Sequence, residues 1–205
     1  MFSSLYPISK KTTLVALLMT LPLCGLWNIG QATYIHSKAL LAQLLLETAW
    51  KQTLDIQTNV KPWPWADTWP VARLSVPRLE LHRIVLAGAN GSSLAFGPGH
   101  LFNSASLQGN GNSLIAGHRD THFAFIRELK IGDELKIQRN DGVIDRYQVN
   151  HIFIADEHDT ARLYNIKQKQ LSLITCYPFT AMIPGGPLRY VVKANYINPQ
   201  KEFQI

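Results

Sequence analysis

A cysteine does covalent chemistry only when other groups come to it, and this chain carries three segments with suitable residue types. Leu171-Ser172-Leu173-Ile174-Thr175-Cys176 is an apolar and β-branched run whose alternate residues face opposite ways, and Pro178 keeps it from continuing far. Cys176 therefore sits at a strand end, where loops build clefts and a thiol can be presented to a ligand. A nucleophilic cysteine needs an imidazole to manage the protons of thiol and leaving group, and a fixed donor or cation for the oxygen that gains charge in acyl transfer. His118, in Ala116-Gly117-His118-Arg119-Asp120-Thr121, and Arg189, in Leu188-Arg189-Tyr190-Val191-Val192, have the chemistry for these tasks. The guanidinium keeps its proton at every relevant pH, so it suits a carbonyl or an oxyanion and cannot be a base.

Each of these residues also has a plainer reading. Cys176 could be inert core and His118 a solvated surface residue; His118 and His122, spaced by four, could bind zinc with Cys176, although no fourth ligand is evident. Asp120 either orients His118 or caps the turn, and Thr175 either bonds substrate backbone or fills a strand position. His100, His151 and His158 read as solvated or core-satisfied. Asp133, Glu134, Asp141, Asp156, Glu157 and Asp159 lack the spacing of a calcium loop, so no metal is expected, and the cysteine chemistry needs no cofactor.

The elements that must position these groups are short. Strands are expected at residues 71–76, 81–86, 112–117, 134–139, 143–154, 171–176 and 189–197, with residues 92–96 a brief strand or helical turn and 97–101 a loop. Asn140-Asp141-Gly142 signals a hairpin, and Thr121 is placed to cap a short helix containing Phe123, Phe125, Ile126 and Leu129. About eight short strands with few helices predict a mainly β fold, a closed or nearly closed antiparallel-rich barrel. The chain from Asp156 to Gln170 reads as a polar loop, and Ile183-Pro184-Gly185-Gly186-Pro187 as a flexible one.

Leu173, Thr175, Cys176, the earlier His118 and the later Arg189 together resemble the signature of the sortase family, cysteine transpeptidases. The likeness runs from about Trp69 to the C-terminus, includes the segments 94–100 and 117–120, and looks most like the class D-like sortases and the Gram-negative proteobacterial (class GN) form. It implies an eight-stranded sortase β-barrel in which the cysteine and arginine strands are neighbours and the histidine strand end approaches them. It also implies catalytic Cys176, His118 and Arg189, with Thr175 as a substrate-binding residue. The partner would be an exported protein bearing a C-terminal Leu-Pro-x-Thr-Gly-like sorting signal, cleaved between Thr and Gly through a thioester on Cys176, with transfer of the acyl group to an amine.

Of the 205 residues, 46% are apolar and 17% charged, which permits one real core with an appendage and excludes wholesale disorder. The net charge of +6 comes from scattered Lys and Arg residues, so no nucleic-acid partner is expected. Lys10-Lys11 precede an uncharged run from Thr12 to Gln31, and about 20 helical residues cover a bilayer core. The expectation is a single-pass inner or plasma membrane anchor, N-terminus cytoplasmic and the remainder extracytoplasmic, with a cleaved signal peptide as the competing reading. Leu40, Leu41, Leu44, Leu45, Ala49 and Trp50 predict an amphipathic stalk helix, and Lys61 to Pro70, with three prolines, breaks regular structure. The domain reading is thus 1–35 cytoplasmic tip and transmembrane anchor, 36–68 helical stalk and Pro/Trp linker, and 69–205 catalytic domain. Cys24 and Cys176 lie on opposite sides of that division and are not expected to pair. The rival functions are a non-catalytic membrane-tethered barrel that binds peptide or wall polymer, and a hydrolase using the same cysteine.

Overall fold

The computed structural model describes residues 10–159, 167–181 and 185–197, side chains at 10, 12, 13, 15 and 16 excepted. The expected cytoplasmic tip before residue 10, and Ile183 and Pro184 of the expected flexible loop, lie outside them. The chain divides into two compact units, Met1–Ala42 and Gln43–Ile205. The second contains a closed barrel of eight strands: β1 (Pro70–Val76), β2 (Leu81–Ala87), β3 (Gly99–His100), β4 (Asn112–Ala116), β5 (Glu134–Arg139), β6 (Ile144–Asp156), β7 (Gln170–Cys176) and β8 (Leu188–Tyr196). Their order around the barrel is β1-β2-β3-β4-β7-β8-β6-β5.

Period-two patterning sets the interior. Ala72, Leu74 and Val76 of β1 alternate with half-buried Val71, Arg73 and Ser75, and they meet Val85, Ile115, Leu135, Ile137, Tyr147, Val149, Leu171, Leu173, Val192 and Ala194 in one buried cluster. Phe123, Phe125, Ile126 and Leu129, from the segment that follows β4, join the same cluster. The expected barrel is therefore present, and the loop after His118 is part of its core.

Two local expectations need correction, and one open alternative is decided. The eighth strand is Gly99–His100, in the segment read as a loop, because Gly99 has no side chain to keep it from the β2 end: a Cβ there would stand 2.1 Å from the Gly88 carbonyl oxygen. The segment at 92–96 takes the helical-turn alternative, as the one-turn helix α2 (Gly91–Leu94), capped by the Asn90 side chain accepting from the Ser93 N–H at 2.8 Å. Thr121 caps nothing: the turn is 3-10, from Ala124 to Glu128, and it is entered through Phe123 without a side-chain cap. The Asn140-Asp141-Gly142 signal does join β5 to β6, with Gly142 at a φ of 81°.

The N-terminal helix α1 runs unbroken over Lys10–Ile56, with Pro22 inside it. Among the described residues, no helix is long and apolar enough to cross a membrane. The expected span is not met there because Thr20, Pro22, Gly25, Asn28, Gly30 and Gln31 dilute the part of the run whose side chains are described. The buried face of α1 also differs from the expected stripe. Leu40, Leu41 and Leu44 are exposed, whereas within the barrel unit Leu46 and Trp50 pack on Ile84 and Leu86 of β2, with Leu54 and Phe96 alongside. Trp63 meets Phe96 edge to face at 5.1 Å, and Trp65 is exposed.

Removing the largest side chain of this outer layer tests how far the end of α1 belongs to the barrel's stability. Trp50→Ala is expected to lower the unfolding free energy by about 3 kcal/mol, read from chemical denaturation. An unchanged midpoint would show the helix end to be an ornament on an independent barrel.

Candidate active site

Strand pairing, rather than sequence proximity, assembles the site. β7 and β8 run antiparallel with Cys176 directly opposite Arg189 and Ile174 opposite Val191. Directly opposed residues point to the same face of a sheet, so the thiol and the guanidinium start from one face. On its other side β7 pairs in parallel with β4, Ala116 level with Ile174. Parallel strands leave the sheet at the same end, and His118 lies two residues beyond Ala116 just as Cys176 lies two beyond Ile174. The three residues predicted from the sequence therefore lie at one end of three neighbouring strands. On the face of Cys176 and Arg189, Leu114, Ile174 and Val191 form a small apolar cluster with Leu101 and Ala155 beside it, separate from the barrel interior.

The β4–β7 alignment is locked at its last residues. Gly117 N–H donates to the Ile174 carbonyl at 3.1 Å, and the buried Thr175 hydroxyl donates to the Gly117 carbonyl at 2.6 Å. The Thr175 hydroxyl is thus spent within the protein, on the peptide that carries His118. Gly117 lies against the buried Phe123 ring, where a Cβ would come within 2.6 Å of Cγ. Phe123 N–H in turn donates to the His118 carbonyl at 3.0 Å, so the turn after β4 is held from the core side. His118 itself is exposed and Cys176 half-buried.

Arg119 was legible only as a neighbour of the histidine, and it proves to be structural. It is 6% exposed, and its Nη1 and Nη2 donate to the carbonyls of Pro178 at 2.9 Å and Ala181 at 2.7 Å. One side chain next to His118 thereby holds the loop that follows Cys176. Asp120 pairs with Arg119 Nε at 3.4 Å, so its carboxylate serves this clamp. Aromatic packing supports the same loop: Tyr177 stacks on Tyr190 at 6.3 Å, and Phe179 meets Tyr190 edge to face at 5.1 Å.

Arg189 is partly engaged. Nη1 donates to the Gly186 carbonyl at 2.5 Å and the Leu188 carbonyl at 3.1 Å, and Nη2 to Glu157 at 2.6 Å. The Nε–H has no partner among the described residues and is left for a ligand oxygen. His122, read as a possible zinc ligand, has its Nε2 at 3.4 Å from the Ala95 carbonyl. Burial holds its imidazole below the usual histidine range, and the positive charges of Arg83 and His118 add to that. Among the described residues, no group of three or more His, Cys, Asp or Glu side chains is gathered as metal ligands would be. Both cysteines are free thiols. His100, by contrast, is satisfied locally, its Nε2 2.9 Å from the Ala105 carbonyl, and burial depresses its protonation.

The sortase domain family matches residues 74–197. Sortase D of Bacillus subtilis is 31% identical over 120 residues, 58% of this chain and 60% of that protein. Sortase A of Listeria monocytogenes is 29% identical over 110 residues, 52% of this chain and 49% of that protein, so the chain spans only half to three-fifths of the length of these curated relatives. A solved Clostridium perfringens sortase D5 transpeptidase is 27% identical with a TM-score of 0.62, over 77% of this chain and 99% of that one.

The clamp can be removed while its stem is kept. Arg119→Met leaves two loop carbonyls without their charged donor and is expected to cost about 2 kcal/mol of stability, measured by denaturation. Hydrogen exchange at the amides of Tyr177 and Ala181 should speed up more than at β5. Uniform protection across the barrel in the variant would show that the loop does not depend on the guanidinium.

Proposed function

The chain belongs to the sortase family, and from that premise we propose that it is a cysteine transpeptidase acting on a Leu-Pro-x-Thr-Gly-like sorting signal near the C-terminus of an exported protein. The observation that carries the reading is the common register of β4, β7 and β8, which brings an imidazole, a thiol and a guanidinium to one strand end. In the reaction, the Cys176 thiol attacks the threonine carbonyl and its proton passes to His118, which gives it to the departing glycine amine as the carbon–nitrogen bond breaks. Arg189, through the donor it has free, steadies the carbonyl oxygen as charge develops. The resulting thioester is released by an acceptor amine, with His118 now taking the proton.

The enzyme would work from a membrane, with the barrel on the extracytoplasmic side. Support comes from α1, where Leu14, Leu17, Leu18, Met19, Leu21, Leu23, Leu26, Trp27 and Ile29 all expose more than half of their surface. Large apolar side chains exposed around a whole helix call for an apolar environment. Lys10 and Lys11 stand on the cytoplasmic side under the rule that positive charge stays inside.

Incubating the full chain with sorting-signal peptides should give a mass adduct on Cys176, absent from Cys176→Ala. His118→Ala should slow acylation by about a hundredfold or more. No adduct on folded, reduced protein would overturn the transpeptidase reading in favour of a binding barrel, and an adduct released only to water would make the enzyme a hydrolase.

Arg189→Lys preserves the charge but loses the fork of donors, including the free Nε–H. Its acylation rate is expected to fall about tenfold or more, in single-turnover kinetics. Wild-type rates in this variant would remove directed donation from the mechanism.

A further inference from the structure

The proposed reaction leaves the acceptor amine without a seat, and the barrel unit contains one beside His118. A cavity of about 460 Å³ lies between the end of α1, β2 and the turn after β4, lined by Gln43, Glu47, His82, Arg83, Thr121 and His122 among others. Thr121 and His122 belong to the turn that His118 opens, Thr121 N–H facing the His118 carbonyl at 3.4 Å. The topology puts this cavity on the far side of the histidine from the thiol. β4 stands between β7, which carries Cys176, and β3, beyond which lies β2 with Arg83.

The charges in the cavity are unequal. Glu47 is paired through Oε2 with Arg73, and Gln43 donates its amide to the Phe96 carbonyl at 2.8 Å. Arg83 is half-buried, yet its one hydrogen bond is to the carbonyl of its neighbour His82 at 2.8 Å, and no carboxylate pairs with it among the described residues. Water is partly withdrawn from this guanidinium without an anion in return, a costly state that a ligand oxyanion would relieve.

Resting on the transpeptidase reading above, we propose that this cavity is the acceptor subsite and that it takes an amine whose molecule also bears a free carboxylate, an amino-acid or peptide end, held by Arg83. With the carboxylate on Arg83, the amine reaches the thioester past His118. Its nitrogen forms the new amide bond as the carbon–sulfur bond breaks, and one N–H proton passes to His118 and on to the departing sulfur. The glycine amine expelled in the first half-reaction leaves by the same side, since the same imidazole serves both amines. Thr121 and His122 supply neutral polar contacts along the way.

The test compares two acceptors that differ only at the distant end, diglycine and diglycine amide, on the full wild-type chain acylated with a sorting-signal peptide. Diglycine is expected to be used about tenfold more efficiently, measured as the ratio of transfer product to hydrolysis product by mass. That preference should vanish in Arg83→Gln and persist in part in Arg83→Lys. Calorimetric titration of the full-length Cys176→Ala chain with the two dipeptides gives a second readout independent of turnover, and should show the same preference as a ratio of dissociation constants. A Cys176 adduct that reacts equally with both acceptors overturns the subsite and leaves the transpeptidase intact. Absence of any adduct overturns the transpeptidase and the acceptor role with it.

Discussion

The site depends on one pairing, the parallel ladder between β4 and β7. The antiparallel pairing of β7 with β8 could exist without bringing a histidine to Cys176, because the other strand beside β4 is the two-residue β3. The alignment of Ala116 with Ile174 is what makes two strand ends finish together. A slip of one residue would turn the side chains of β4 to the opposite face and send Ile115 out of the barrel core, which fixes the register through the same apolar contacts that fold the protein. The bond from Thr175 to the Gly117 carbonyl then finishes the alignment where the ladder stops.

Beyond that end, the backbone is irregular and has to be held by side chains. Phe123 holds the His118 turn from below and Arg119 from the side, and the two act on different partners: one on the barrel interior, the other on the loop after Cys176. This division explains how His118 can remain exposed while its backbone is fixed. A buried arginine whose donors meet peptide carbonyls is costly to strip, since the carbonyls would lose their partner in a place water reaches poorly.

Much of this was readable in the chain, and the rest was hidden for physical reasons. Period-two runs with glycine and proline between them disclosed seven of the strands closely, and the strand-end positions of Cys176 and Arg189 followed from Pro178 and Pro187. What a linear pattern cannot contain is which strand lies beside which, and the β4–β7 contact joins residues whose spacing carries no period. β3 escaped because a two-residue strand of glycine and histidine has no propensity to display; its place is set by how closely Gly99 approaches Gly88. Arg119 escaped because its partners are backbone carbonyls, which every residue has. On the part of α1 within the barrel unit, Leu44 is as apolar as Leu46, and only the position of β2 decides which of them is covered.

The state of Arg189 bears on how such a site uses a cation. With Glu157 at 2.6 Å the pair is close to neutral, so its field over the neighbouring thiol is much weaker than that of an unpaired guanidinium. An arginine recruited for charge alone would be poorly served by this arrangement. One recruited to aim a single N–H is well served, because Glu157 and the Gly186 carbonyl hold the plane of the fork while Nε has no partner among the described residues. Arg83 shows the opposite economy: it has no acid among the described residues, lies half-buried beside a polar cavity, and keeps its charge for whatever enters. The two arginines flank the histidine strand end on opposite sides, one suited to direct a hydrogen bond at a reacting carbonyl and the other to attract an anion. That difference in pairing, more than the distance of either from the thiol, is why the proposed chemistry assigns the carbonyl to Arg189 and the carboxylate to Arg83.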